Sequence, residues 1–412
     1  MASLSASPAM SADERARRVS IGFINWAHAI DHYVVLILAT VVIELATIYD
    51  WTYAELIALG TPSFVAFGIF SLPAGWLGDH WSRRNMMALF YFGCGVSLAA
   101  ASVAPNLIVL AIALTALGMF AAIYHPVGTA MLIEQATSRG RSLAFNGVCG
   151  NLGVAFAAGA TAALVYVLGW RGAFYVPAVI CLATGLVYVL FVPDERRAGG
   201  KRTSTPDVTL APWLAATIFA LFIVIALSAG LVFHIATIAL PKIVDERLGL
   251  SVSLVQVGGI ATVIFMCGAL AQLTMGRLVE RFPLHLLFAA VALLQFLGFV
   301  WVFYARGPVL IAALSFAVAA CYGQVTINDL VIARYTADAW RARVYAVRYF
   351  LTFLVSGAAV SLIALLHGRG GFDLVLGTAT VIALGFVIGT VSIAVLVHGV
   401  EKERSRLAQP AE

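Results

Sequence analysis

Apolar runs of about twenty residues recur along this chain, parted by short clusters of charge or by Pro and Gly. A helix needs about 20 mainly apolar residues to cross about 30 Å of hydrocarbon. Read this way, the pattern predicts spans near residues 21–44, 53–78, 86–104, 107–133, 143–168 and 172–192. A second set falls near 212–240, 253–276, 284–305, 308–333, 344–367 and 373–399. The first run follows a polar stretch holding Arg15, Arg17 and Arg18. It is too long for a signal-peptide core and lacks a small-residue cleavage site, so it is expected to stay as the first span.

Composition removes the soluble alternatives. Of 412 residues, 62% are hydrophobic and 11% charged, with a mean hydropathy of +0.98. A soluble domain carries roughly 25% charged residues to cover its surface, so this chain must show apolar surface to lipid. The five cysteines stand singly inside apolar runs. They read as small buried hydrophobes, and neither disulfides nor structural zinc is expected.

Charge then sets orientation. With an even number of spans, twenty of the twenty-five Lys and Arg fall on the side of the termini, and only Arg171, Lys242, Arg247, Arg306 and Arg369 fall on the other. Such a bias, sustained loop by loop, predicts cytoplasmic termini. The expected location is a multi-pass position in a bacterial inner membrane. The net charge of +5 follows from this topology and does not call for a nucleic-acid partner.

The chain also repeats. GWLGD at 75–79 is echoed by GRLVE at 276–280, RGRSLA at 139–144 by RARVYA at 341–346, and His32 by His234, all at offsets of 201 or 202. The long polar stretch 193–211 divides the copies. The expected fold is an all-α membrane protein of twelve helices in two pseudo-symmetric six-helix bundles. Its parts are a tail (1–20), a first bundle (21–192), a cytoplasmic linker (193–211), a second bundle (212–399) and a second tail (400–412). A carrier built this way places its substrate site near mid-membrane where the halves meet.

A polar group at the bilayer centre costs several kcal/mol unless it faces a cavity or partner, so the few in these spans stand out. In the first span, at 100° per residue, Asn25, His28, Asp31 and His32 share about a 120° arc. Asp31 is predicted near mid-membrane as a proton acceptor, with His28 or His32 as its partner or as a substrate ligand. The alternative is a hydrogen-bonded interhelical cluster with no part in transport. The fourth span carries Tyr124-His125-Pro126, where proline removes a backbone donor and frees carbonyls; His125 is either a ligand or part of a kink. In the fifth, Asn146 and Asn151 interrupt a run with Gly147, Gly150 and Gly153. The glycines are expected to permit close helix packing, and Asn151 to face the cavity. His234 of the seventh span is the repeat partner of His32. In the tenth span, Gln324 and Asn328 share a face toward the cavity, while Asp329 points elsewhere, at a depth that matches Arg348 of the eleventh. An Asp329–Arg348 ion pair is expected, as strut or as gate.

GWLGDHWSRR at 75–84 resembles the loop signature of the major facilitator superfamily, matched at Gly75, Asp79, Arg83 and Arg84 and departing at His80 and Ser82. GWRGAF at 169–174 is similar to that superfamily's outer turn between its fifth and sixth helices. HAID at 28–31, YHPVGTA at 124–130 and GNLGVAF at 150–156 look like strings of its fosmidomycin-resistance type of drug-efflux carrier. Val127 stands where that group tends to have an acid, and Ala157-Ala158 where proton antiporters often have Gly-Pro. The resemblance implies a gate at the signature loop. Asp79 would accept hydrogen bonds from a helix start in the other half, where the dipole favours an anion. Arg83 and Arg84 would pair with nearby acids, with Glu280 and Arg281 as the repeat counterparts.

No P-loop, nucleophile elbow, metal-ligand spacing or extramembrane domain is visible. No cofactor, metal or enzymatic activity is expected. The partners are a small-molecule substrate, protons and lipid, and the chain is expected to be a monomer. The leading expectation is secondary transport of a small organic molecule by proton-coupled efflux. The alternatives are proton-linked uptake of an organic anion and, from other classes, a non-transporting receptor or scaffold or a membrane-embedded enzyme.

Overall fold

The computed structural model describes residues 11–193, 212–249, 251–335 and 338–407, and within them it is all helix and turn. The chain starts its first helix, α1 (Ala12–Tyr49), on the Ser11 hydroxyl, which accepts from the Glu14 amide, with Asp13 and Glu14 in the first turn. Acids there complement the positive end of the helix dipole. Residues 12–20, expected as part of the tail, are helical: polarity ends the apolar run, but the cap places the helix start nine residues before it. The second apolar run begins with a capping box, Thr52 with Glu55, that opens α2 (Tyr53–Ala58); it breaks at Leu59-Gly60 and resumes as α3 (Thr61–His80). Then come α4 (Arg83–Ser102) and α5 (Leu107–Ala121), capped by Ser82 and Asn106.

The fourth run is not one regular helix. After α5, residues Tyr124–Gly128 form a π-helical turn, and α6 (Thr129–Gln135) completes the run. Pro126 sits inside this turn and has no amide hydrogen to give, so the wider spacing relieves the clash an α-helix would impose. Next are α7 (Arg139–Phe191), α8 (Pro212–Arg247), α9 (Leu254–Leu278), α10 (Leu284–Tyr304), α11 (Val309–Tyr335) and α12 (Asp338–Leu407). The predicted end of the seventh span at 240 is too early: α8 runs through Pro241 to Arg247. The linker lies almost wholly outside the described residues.

Among the described residues, ten helices are long and apolar enough to cross a bilayer. Two of them, 51 and 48 residues long, far exceed the roughly 30 Å such a crossing needs. Both are interrupted, one at Gly169 (φ 72°) and the other at Gly370 and Gly371.

One set of helix pairings occurs twice. In the first part α1 packs on α7, α3 on α5, and α4 on α5 and α7; in the second, α8 packs on α12, α9 on α11, and α10 on α11 and α12. The two sets meet through α7 on α9 and α3 on α12. At the end remote from the chain termini this seam is tight. The Thr61 and Ser361 hydroxyls are 3.3 Å apart, and the Tyr53 ring lies edge-on to His367, 4.8 Å between centroids. Beside it, Lys242 binds Asp245 at 2.6 Å, His367 approaches Glu246 at 3.2 Å, and Asp373 pairs with both Arg247 and Arg306.

Candidate functional site

The polar arc of α1 turns into protein. Asp31 is fully enclosed, Asn25 is buried, and His28 and His32 are half-buried. Opposite them stand the π-helical turn and the near part of α7. Asn146 on α7 is the hub of this contact. Its side-chain amide donates to Asn25 Oδ1 at 3.0 Å, its Oδ1 accepts from the Tyr124 hydroxyl at 3.0 Å, and its backbone carbonyl accepts from His28 Nδ1 at 2.8 Å. A carbonyl only accepts, so His28 carries hydrogen on Nδ1 and, when neutral, a lone pair on Nε2. That nitrogen lies 3.2 Å from His32 Nε2.

His125, delivered by the π-helical turn, completes the group. Its Nε2 is 3.3 Å from Asp31 Oδ2, longer than a well-made charge-assisted bond of about 2.7–2.9 Å. Its ring is edge-on to both His28 and His32, with centroids 5.4 and 5.5 Å away. His28 in turn stacks on Tyr124 at 4.7 Å. Three imidazoles and a carboxylate from two distant parts of the chain thus share one pocket. His28, His32 and His125 offer ligand atoms that all lie within 4.8 Å of one another. His28 and His32 lie one turn apart on α1, but the third member arrives from another helix, where no sequence-spacing rule reaches.

The glycines set how close these elements come. A Cβ at Gly150 would lie 2.6 Å from His28 Nε2, and one at Gly153 would lie 2.2 Å from the Ala29 carbonyl oxygen. A Cβ at Gly75 would touch Pro126 at 3.2 Å, and one at Gly78 would meet Val127 at 2.9 Å. So Gly150 and Gly153 let α7 lie against α1, and the signature glycines let α3 lie against the π-helical turn.

The other predicted residues are more scattered. Asn151 Nδ2 donates to Gln272 Oε1 on α9 at 2.6 Å, a tie between the two sets of helices; nothing in the sequence pattern marks Gln272. His234 on α8 is half-buried and reaches the backbone of Thr352 on α12. Gln324 donates to the Ala229 carbonyl at 3.4 Å, so it ties α11 to α8. Its Oε1 and the Asn328 Oδ1 are buried and find no hydrogen-bond partner among the described residues. The side chains of Asp329 and Arg348 lie outside the described residues, and with them the expected ion pair.

At the end near the termini, Asp79, Arg83 and Arg84 of the signature line a cavity of about 1000 Å³ together with Asp13, Arg17 and Glu134. The histidine group is not part of it. Arg83 binds Asp79 at 2.7 Å and Glu134 at 3.1 Å, while Arg84 donates to the carbonyls of Val189 and Val192 at the end of α7. The ties of Arg83 and Arg84 therefore run inside the first set of helices. Glu280 and Arg281 are exposed in the turn after α9.

The sequence matches the Major Facilitator Superfamily over residues 21–360. No curated protein matches it in sequence. In fold it is similar to a bacterial homologue of the human lysosomal transporter Spinster, in an inward-facing and occupied conformation. That likeness has TM-score 0.72 at 14% identity and covers 94% of this chain and 95% of the other. It is similar also to a POT family transporter in complex with 5-aminolevulinic acid (TM-score 0.70, 13% identity, 92% and 96% covered). A D-xylose–proton symporter is a third (TM-score 0.69, 14% identity, 91% and 96% covered).

Proposed function

The chain belongs to the Major Facilitator Superfamily, and on that premise we propose that it moves a small organic molecule across the bilayer, coupled to protons exchanged at Asp31. It is a carrier and not an enzyme. Counting the two broken helices as two crossings each gives twelve spans, and the doubled pairing pattern supports two six-helix bundles. The tight seam between Thr61 and Ser361 is then the closed gate on the outer face, with the termini cytoplasmic.

The observation that carries the proton reading is the enclosed Asp31 carboxylate facing His125 at 3.3 Å. An ionised carboxylate out of water needs a counter-charge. A proton on Asp31, or one on His125, satisfies that need, and either can leave when access to water changes sides. The half-buried rings of His28 and His32 continue the path. Gln324, Asn328 and His234 are proposed to face the substrate from the second bundle, and Asp79 with Arg83 to act in the gate on the cytoplasmic face. Export by antiport follows from the likeness to fosmidomycin-resistance carriers. Uptake with protons would use the same residues.

The test begins with a thermal-shift screen of purified protein against metabolites and antibiotics at two pH values. A stabilising compound is then followed into proteoliposomes under an imposed pH gradient. Accumulation in the direction opposite to proton flow supports antiport, and accumulation with it supports uptake. Flux indifferent to the pH gradient sinks the proton reading.

A further inference from the structure

We propose that His28, His32 and His125 form a binding site for a divalent transition-metal ion of the zinc class, with Asp31 supplying the compensating charge. This goes beyond transport of an organic molecule and does not depend on it, although it uses the same pocket.

Four observations support it. The first is spacing. Nitrogens on a tetrahedral zinc-class ion at about 2.0–2.1 Å stand roughly 3.3 Å apart, and His28 Nε2 and His32 Nε2 are already 3.2 Å apart. All three ligand atoms lie within 4.8 Å of one another, so the widest gap closes by about 1.5 Å at most through side-chain rotation. The second is orientation. A metal-binding histidine usually donates its other ring nitrogen to a carbonyl or carboxylate. His28 Nδ1 does this to the Asn146 carbonyl at 2.8 Å, leaving Nε2 to the ion, and His125 faces the Asp31 carboxylate. The third is charge. Asp31 is fully enclosed, with His125 Nε2 3.3 Å from its Oδ2; a cation held by the histidines would stabilise the ionised carboxylate. The fourth is access. The three imidazoles are half-buried rather than sealed, so open space adjoins them. Nitrogen donors in this number suit Zn²⁺, Co²⁺, Ni²⁺ or Cu²⁺ and disfavour Mg²⁺ or Ca²⁺, which prefer oxygen. On binding, the hydrogen that His32 holds toward His28 moves to its Nδ1.

The full chain in detergent, freed of any histidine tag and stripped with a chelator, is titrated with Co²⁺ and with Cu²⁺. The expected result is one saturable ion per chain, visible Co²⁺ absorption of a four- or five-coordinate nitrogen site, and Cu²⁺ paramagnetic resonance split by three nitrogens. Asp31→Asn, which removes the carboxylate behind His125, should weaken binding roughly 10–100-fold. His32→Gln and His125→Gln should each weaken it at least as much, and His80→Gln, an exposed histidine elsewhere, should not. Absence of a saturable ion overturns the proposal, as does a Cu²⁺ spectrum without nitrogen splitting or binding that survives replacement of all three histidines. Should the variants fail to fold, the Cu²⁺ spectrum of the unaltered chain decides alone. The proton reading is judged separately, by flux in metal-free buffer.

Discussion

The Asp31 carboxylate, fully enclosed on α1, has His125 Nε2 3.3 Å away on the π-helical turn. An α-helix through Pro126 would have pushed the chain aside at this point. The wider π turn keeps the helix continuous and carries His125 into the pocket. Two departures from the ordinary, a buried acid and an irregular helix, therefore explain each other.

Replacing Asp31 by Asn keeps the shape and removes the charge. Proton-driven accumulation of the transported compound should fall to the level of a dissipated gradient, while exchange of compound for compound continues. Proteoliposome accumulation and counterflow, measured side by side, check this. Loss of both, or of neither, would count against a coupling role.

The α1–α7 contact should resist even one added methyl group. At Gly153 a Cβ would meet the Ala29 carbonyl at 2.2 Å, and backbone cannot step aside as a side chain can. Gly153→Ala should destabilise by about 1–3 kcal/mol and lower the melting temperature in detergent. Gly276 on α9 has nothing within 4 Å of its Cβ position. There Gly276→Ala should be neutral or stabilising by up to about 1 kcal/mol.

Cross-linking tests the seam remote from the termini. With Thr61 and Ser361 both changed to Cys, the two thiols replace hydroxyls 3.3 Å apart, and an oxidant should join them. Transport should stop on oxidation and return with reductant. Full cross-linking with undiminished flux would show that this seam need not open.

Arg83 should matter more to transport than to stability. Its partners Asp79 and Glu134 have side chains 59% and 46% exposed, and such pairs contribute only about 0–1 kcal/mol. Arg83→Ala should leave the melting temperature nearly unchanged yet slow flux severalfold. An equal loss in both would make Arg83 a strut.

Much of the fold was legible along the chain because membrane insertion is a local rule. The spans appear as long apolar runs, and Gly169, already visible in GWRGAF, marks the break in α7. Of the three glycines expected at close helix contacts, Gly150 and Gly153 are closed against α1, whereas a Cβ at Gly147 would meet only Gln272 Nε2 at 3.9 Å. Boundaries were weaker. α1 begins at Ala12 and α8 runs to Arg247, because caps and continued hydrogen bonding, rather than hydropathy, decide where a helix ends.

The site was half legible. The arc of Asn25, His28, Asp31 and His32 follows from helical periodicity, and the structure turns it into protein. Its partners do not follow. Nothing in the local pattern links Asp31 to His125, Asn25 to Asn146, or Asn151 to Gln272, since each pair joins separate helices.

Alone, the amino-acid order determined that this chain lives in lipid, and which few polar groups had to find shelter from the acyl chains. Only the packed structure decided which of those groups meet. Helical period and hydropathy act within one segment, whereas the approach of α7 to α1 and the π turn at Pro126 bring side chains from different helices within bonding distance.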